Sequence, residues 1–87
     1  MLKYKFDLQM LIEGENLSTD MINEYIAKNI NGDSLMVAED ENIVKIHFHT
    51  NTPWNVLEYG ASLGDIYDIV IENMERQANG LAGEFYY

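Results

Sequence analysis

Apolar and polar residues alternate from residue 3 to residue 12, with apolar Leu11 on the polar side. Tyr4, Phe6, Leu8, Met10 and Ile12 fall on one side, and Lys3, Lys5, Asp7 and Gln9 on the other. A period of two sends successive side chains to opposite faces, so this stretch predicts a half-buried strand with a polar outer side. Glu13-Gly14-Glu15-Asn16 is a turn or loop. The period then lengthens. Met21, Ile22, Tyr25, Ile26 and Ile30 recur at helical spacing. Ser18 is placed to cap that helix, Asp20 suits its positive end, and Leu17 is positioned to staple against Ile22. Asn31-Gly32 predicts a left-handed stop. Ser34 to Ala38 reads as a short strand, and Glu39 to Asn42 as an acidic hairpin connection. In the strand from Ile43 to His49, Val44, Ile46 and Phe48 share one face and Lys45, His47 and His49 the other. Thr52-Pro53 opens a second helix, with Thr as N-cap and Pro at the first helical position. That helix runs to about Leu63 with Gly64 beyond it. Val56, Leu57 and Ala61 face inward, and Trp54 in the first turn is placed to cover a sheet edge or a partner. Ile66 to Ile71 forms a last strand and Glu72 to Gln77 a short helical turn.

The order strand, helix, strand, strand, helix, strand is the ferredoxin-like βαββαβ pattern of the α+β class. Right-handed crossovers place both helices on one face of a four-stranded antiparallel sheet, with the first and third strands central. The other face is then open, and it carries Lys5, Asp7, Gln9, Lys45, His47 and His49. Residues 1–77 make one α+β domain. Residues 78–87 are predicted to be a flexible C-terminal tail, glycine-rich at Asn79 to Gly83 and apolar at Phe85-Tyr86-Tyr87.

A chain of 87 residues accommodates one domain with a modest core. Its 47% hydrophobic and 23% charged content is that of a folded globule. Fifteen acidic against five basic side chains give a formal charge of −10, which repels phosphate backbones and anionic lipid. Nucleic acid and membrane surfaces are therefore poor partners. No apolar run approaches the ~20 residues of a bilayer span. The alternating N-terminus reads as a strand and not a signal peptide. The absence of cysteine removes both a disulfide framework and a thiol nucleophile. The expected location is the cytoplasm.

Candidate chemistry concentrates in His47-Phe48-His49-Thr50-Asn51-Thr52-Pro53. Two imidazoles two residues apart on a strand project together, which suits zinc, although a stable site needs a third and fourth ligand. His47 and His49 are thus the candidate metal ligands. Thr50, Asn51 and Thr52, beside the free N–H groups of a helix start, form a candidate anion site to which either histidine adds charge below neutral pH. The simpler alternatives are two half-exposed histidines on a polar sheet face and an ordinary capped turn. Gly32-Asp33-Ser34 is a helix stop and turn, without the lysine or glycine run of a phosphate loop. Acylphosphatase shares the topology but uses an arginine after its first strand, where this chain has acidic Glu13 to Asn16; the sole arginine is Arg76. Ser34, His47 and Asp33 make a triad on paper, with no nucleophile elbow beside them.

The same stretch carries a resemblance. His47-Phe48-His49-Thr50-Asn51-Thr52-Pro53 resembles the His-x-His-Thr-Asn-x-Pro motif of the middle domain of the ATP-binding protein of bacterial fatty acid kinases. That family is also described as dihydroxyacetone-kinase-like (DAK-type). Gly32-Asp33-Ser34-Leu35, Val44-Lys45, Leu57-Glu58-Tyr59, Gly64, Ile71-Glu72-Asn73-Met74 and Gln77 agree in order, over roughly residues 4 to 77. The resemblance implies a non-catalytic scaffold or interaction module. In such a system a separate domain binds ATP and magnesium, another engages the acyl-carrying partner, and the middle domain joins them and supports dimerisation. It also implies a Cys-His-His cluster, but Lys5 stands where the family has its cysteine, and Asp7 is the nearby replacement. No cofactor is therefore expected, with zinc on His47 and His49 as the alternative. A metal- or anion-binding regulatory domain is the second functional reading. The third expectation is a homodimer, formed by the open face with Lys3, Lys5 and Lys45 meeting Asp7, Asp68 and Glu72 of a second copy, and extended by Phe85, Tyr86 and Tyr87.

Overall fold

The computed structural model describes residues 2–86, with side chains described for 2–83. The elements in chain order are β1 (Phe6–Glu13), α1 (Thr19–Asn29), β2 (Gly32–Asp40), β3 (Ile43–Thr50), α2 (Pro53–Leu63), β4 (Asp65–Asn73), α3 (Met74–Ala78) and β5 (Glu84–Tyr86). The sheet order is β2-β3-β1-β4-β5, antiparallel at every pairing. The first four strands and two long helices are the predicted ferredoxin-like arrangement, with β1 and β3 central. The stacked Tyr25 and Tyr59 rings show that α1 and α2 lie side by side on one face of the sheet.

The core sits between that face and the helices. Leu8, Met10 and Ile12 of β1 meet Val44, Ile46 and Phe48 of β3, covered by Ile22, Ile26 and Ile30 of the α1 segment and Val56 of α2. Full burial of one such side chain contributes about 1.5–3 kcal/mol. The register pairs Leu8 with Phe48, Met10 with Ile46 and Ile12 with Val44, so the predicted apolar faces of both central strands coincide.

Several local expectations give way to tertiary packing. Met21 and Tyr25 belong to the apolar stripe by spacing, yet they are exposed on the outer side of α1. In α2 the inward position is Gly60 rather than Ala61. A Cβ on Gly60 would lie 2.7 Å from Met10 Cε and 3.2 Å from Ile66 Cγ2, so a side chain there would force the end of Met10 to move. Gly32 does not end α1 in a left-handed turn. Ile30 leaves the helix in extended geometry (φ −128°), and Gly32 is already in β2, where a Cβ would run into the Phe48 ring and the His49 carbonyl. Close approach, not torsion, requires glycine there. Ser18 caps α1 as expected, its Oγ accepting from the Met21 N–H at 3.2 Å. Thr52 precedes α2 without a side-chain cap bond.

Two bulges keep the faces in phase. One extra residue enters β2 between Asp33 and Met36, and one enters β4 opposite Gln9 to Leu11. Ser34 (φ 57°) and Asp68 (φ 49°) take the left-handed conformations that such insertions use. Because of them Ile66, Ile69 and Ile71 all point to the helices although their spacing breaks the period of two.

The segment from residue 78 onward was expected to be a flexible tail. Its residues Glu84–Tyr86 instead add a fifth strand to the outer edge of β4, and the Asn73 N–H donates to the Gly83 carbonyl at 2.6 Å. The short turn expected after β4 is α3, capped by Asn73, whose Oδ1 accepts from the Arg76 N–H at 3.0 Å. Tyr87 lies outside the described residues, as do the side chains of Phe85 and Tyr86 on which the apolar contribution to a dimer was to rest.

Candidate functional site

The open face is built from four rows that run across the sheet. Cross-strand pairing aligns Asp33, His49, Asp7 and Glu72 in the first row, from β2 through β3 and β1 to β4. Met36, His47, Gln9 and Val70 form the second, and Ala38, Lys45, Leu11 and Tyr67 the third. Asp40, Ile43, Glu13 and Asp65 close the far end. Both histidines therefore project from the open face of β3, as their spacing predicts.

They have different surroundings. His49 Nε2 lies 3.6 Å from Asp7 Oδ1, and its Nδ1 lies 3.5 Å from Asp33 Oδ1. The imidazole is held between carboxylates of the two flanking strands, at ion-pair rather than hydrogen-bond distance. His47, one row away, has Gln9 and Met36 beside it. Asp33 thus faces His49 and not His47, and Ser34 Oγ donates to Asp33 Oδ1 at 3.2 Å. The Ser34–His47–Asp33 set does not come together as a triad.

The Cys-His-His cluster implied by the family resemblance does not fit this chain. Lys5, which stands for the cysteine, precedes β1 and lies with its Nζ 5.5 Å from the centroid of the Phe6 ring. An ammonium is no ligand for a cation. Among the described residues, no group of three or more His, Cys, Asp or Glu side chains is disposed to hold a metal ion.

Thr50, Asn51 and Thr52 spend their polar groups on the fold. Thr50 is buried, and its Oγ1 donates to the Asn31 carbonyl at 2.7 Å while accepting from the Thr52 N–H at 3.2 Å. Thr52 Oγ1 lies 3.4 Å from Thr50 Oγ1. Asn51 Oδ1 accepts from the Lys5 N–H at 2.8 Å, and its Nδ2 donates to the Lys3 carbonyl at 3.2 Å. One turn thereby ties the residues before β1 to the end of β3, and Thr50 ties the α1–β2 connection to the same place. The sequence shows these residue types beside a helix start, but the main-chain partners that Thr50 and Asn51 take across the fold are 19 to 48 residues away.

The open face is less polar than predicted. Leu11, Val70 and Tyr67 occupy its middle, and Met36, 50% exposed, lies on the β2 side next to His47. Leu11 reaches this face because it follows the register of the polar positions of β1, the one break in that alternation. Charge is not evenly mixed either: carboxylates fill both ends, and Lys45 is the one lysine within the paired rows. Tyr67 reports this. Loss of solvent raises its phenol pKa above the ordinary value, with further rises from the carboxylates of Glu13, Asp68 and Asp65.

A ferredoxin-like module with one helix-covered face and one open face, its signature motif serving as an internal tie, defines the class. The family model of the FakA-like middle domain, from the fatty acid kinases, matches residues 3–81, and the chain belongs to that family. Over 46 residues, 53% of the chain, it is 48% identical to uncharacterized proteins of Staphylococcus haemolyticus, Staphylococcus saprophyticus and Staphylococcus aureus strain USA300. The matched stretch is 8% of the length of each relative, so the chain corresponds to a small part of the curated relatives it matches. Among the described residues no helix is long and apolar enough to cross a membrane.

Proposed function

We propose that this chain is a non-catalytic scaffold of a fatty acid kinase-type protein, located in the cytoplasm. It positions kinase and acyl-binding partners and associates through its open sheet face. The observation that supports this reading is the use made of the motif. Thr50 and Asn51 hold β1, β2 and β3 in place through backbone partners, and His49 is engaged by Asp7 and Asp33. A nucleophile beside a base, or a set of donors converging on an empty position, is what chemistry would need. The motif supplies structural ties instead. On the open face the apolar strip of Leu11, Val70 and Tyr67, bordered by carboxylates, has the composition of a surface meant for cover.

The test is to incubate the chain with ATP, magnesium and a long-chain fatty acid and to trap acyl phosphate with hydroxylamine. No turnover above the protein-free control is expected. Turnover that disappears in a His47→Ala, His49→Ala variant would overturn the proposal. The second reading is a metal- or anion-binding regulatory domain using His47 and His49, which would bind its ion without turnover and lose that binding in the same variant. The position of His49 between two carboxylates is what speaks for a cation there.

A further inference from the structure

On the outer side of the helical layer, the Tyr25 and Tyr59 rings stack with centroids 3.8 Å apart and planes 12° from parallel. Beside them is a cavity of about 300 Å³ whose walls include both tyrosines, Glu58, Asn29 and Asn55. Among the described residues no basic side chain lines it. Asn29 Nδ2 donates to the Tyr25 carbonyl at 2.9 Å, which leaves Oδ1 and one N–H of the side chain free. Ser62, at the rim, is already committed, its Oγ donating to the Tyr59 carbonyl at 2.5 Å. Among the described residues Glu58 enters no ion pair, whereas Lys28 on α1 is matched by Glu24 at 3.6 Å. The cavity therefore combines aromatic rings, one uncompensated carboxylate and a free carboxamide oxygen.

These features select for one kind of ligand group. A carboxylate with acceptor oxygens rejects anions and favours a cationic donor. A tyrosine face attracts a cation through its ring quadrupole. Burial raises the Tyr59 phenol pKa above the ordinary value, with a smaller contribution from Tyr25, so the ring carries no competing charge at neutral pH. A planar guanidinium stacks on a ring and gives parallel N–H bonds to a carboxylate at once, which a spherical ammonium does not. The volume is at the small end for ligand cavities, room for one side chain. The formal charge of −10 draws basic surfaces toward the domain. Next to the cavity, a groove walled by Met21, Tyr25 and Tyr59 offers apolar area to whatever surrounds the inserted group.

We propose that this cavity receives the guanidinium of an arginine on the surface of a partner protein, stacked against the tyrosine pair and paired with Glu58. The test is an NMR titration of the labelled chain with N-acetyl-arginine amide, and with N-acetyl-lysine amide as its control. Shifts are expected in the ring protons of Tyr25 and Tyr59 and in the side-chain amide of Asn29, larger for the arginine probe than for the lysine probe. Glu58→Gln should weaken the arginine response by about 2- to 5-fold, the range for losing one exposed charge partner. Glu58 is exposed, so this variant keeps its fold, and an unchanged melting temperature documents that. Tyr25→Phe retains the ring and should retain binding. Equal responses to the two probes, an unchanged response in Glu58→Gln, or shifts centred on Asp7, Asp33 and Glu72 of the open face would each overturn the proposal.

Discussion

Replacing Asn51 with alanine asks whether the turn before α2 really fastens the first strand. Two hydrogen bonds disappear in Asn51→Ala: the one Oδ1 accepts from the Lys5 N–H at 2.8 Å and the one Nδ2 donates to the Lys3 carbonyl at 3.2 Å. A hydrogen bond contributes about 0.5–1.5 kcal/mol net, so the pair is worth about 1–3 kcal/mol. Asn51 is exposed and water replaces part of what is lost, which places the cost at the low end, about 1 kcal/mol. In a domain of this size that is roughly 4–8 °C in Tm. Asn51→Asp separates the two bonds. It keeps an acceptor for the Lys5 N–H but turns an oxygen toward the Lys3 carbonyl, so Lys5 stays fastened while Lys3 is released. Urea denaturation gives the stability change, and an unchanged m-value shows that the same surface is exposed in each variant. Amide hydrogen exchange then reads Lys5 directly: it should lose protection in Asn51→Ala and keep it in Asn51→Asp. An Asn51→Ala protein with the wild-type midpoint and a protected Lys5 amide would refute the tie.

Phe48→Ala empties a fully buried site and should cost about 3–5 kcal/mol, while His47→Ala, on the opposite face of β3, should stay within about 0.5 kcal/mol of wild type; the reverse order in chemical denaturation would mean the register is wrong by one residue. The Tyr59 phenol pKa is raised in the fold, by burial first and Tyr25 second, from an ordinary value of 10.0. The unfolded chain therefore loses that proton at lower pH, and stability, fully present below pH 10, falls as pH rises through the folded value. Tyr59→Phe should flatten that loss in urea titrations between neutral and strongly alkaline pH. Zinc should leave the melting temperature unchanged, and a stoichiometric rise that vanishes in the His47→Ala, His49→Ala variant would show that Lys5 does not remove the third ligand. Sedimentation equilibrium should give a homodimer at high micromolar concentration; a monomer there would sink association through the open face, and a dimer unaffected by molar salt would assign it to Leu11, Val70 and Tyr67 rather than to charge pairs.

The architecture was readable because the two central strands keep a strict period of two. Leu8, Met10 and Ile12 of β1 lie opposite Phe48, Ile46 and Val44 of β3, all six buried, and a one-residue slip would expose all of them. Legibility ends where an extra residue is inserted. Tyr67-Asp68-Ile69 looks like a faulty alternation until the left-handed Asp68 is seen to reset the phase. Gly32 and Gly64 follow helices and look like left-handed stops, but both are extended, and a Cβ at either would collide with a neighbouring strand, a fact of packing rather than of local sequence. The site was half readable. Spacing put His47 and His49 on the open face, but the carboxylates that hold His49 come from strands on either side. Thr52 is a fitting cap residue by type, yet its Oγ1 lies against Thr50 Oγ1 and makes no cap bond to the helix. The Tyr25–Tyr59 stack joins two helices, and no pattern within either one announces it.

Lys5 has a second partner besides Asn51: its carbonyl accepts from the Met74 N–H at 2.9 Å. The residues that lead into β1 and those that leave β4 are thus joined at one point, at the same end of an antiparallel pair. Tension applied between them would meet the ladder one rung at a time, Phe6 and Asn73 first, then Asp7 and Glu72, then Leu8 and Ile71. Hydrogen bonds perpendicular to the strands open singly under such a load instead of sharing it. A pull applied between Lys5 and Met74 would unzip the β1–β4 pair from that junction inward, one or two bonds at a time, however firmly the core resists heat or denaturant.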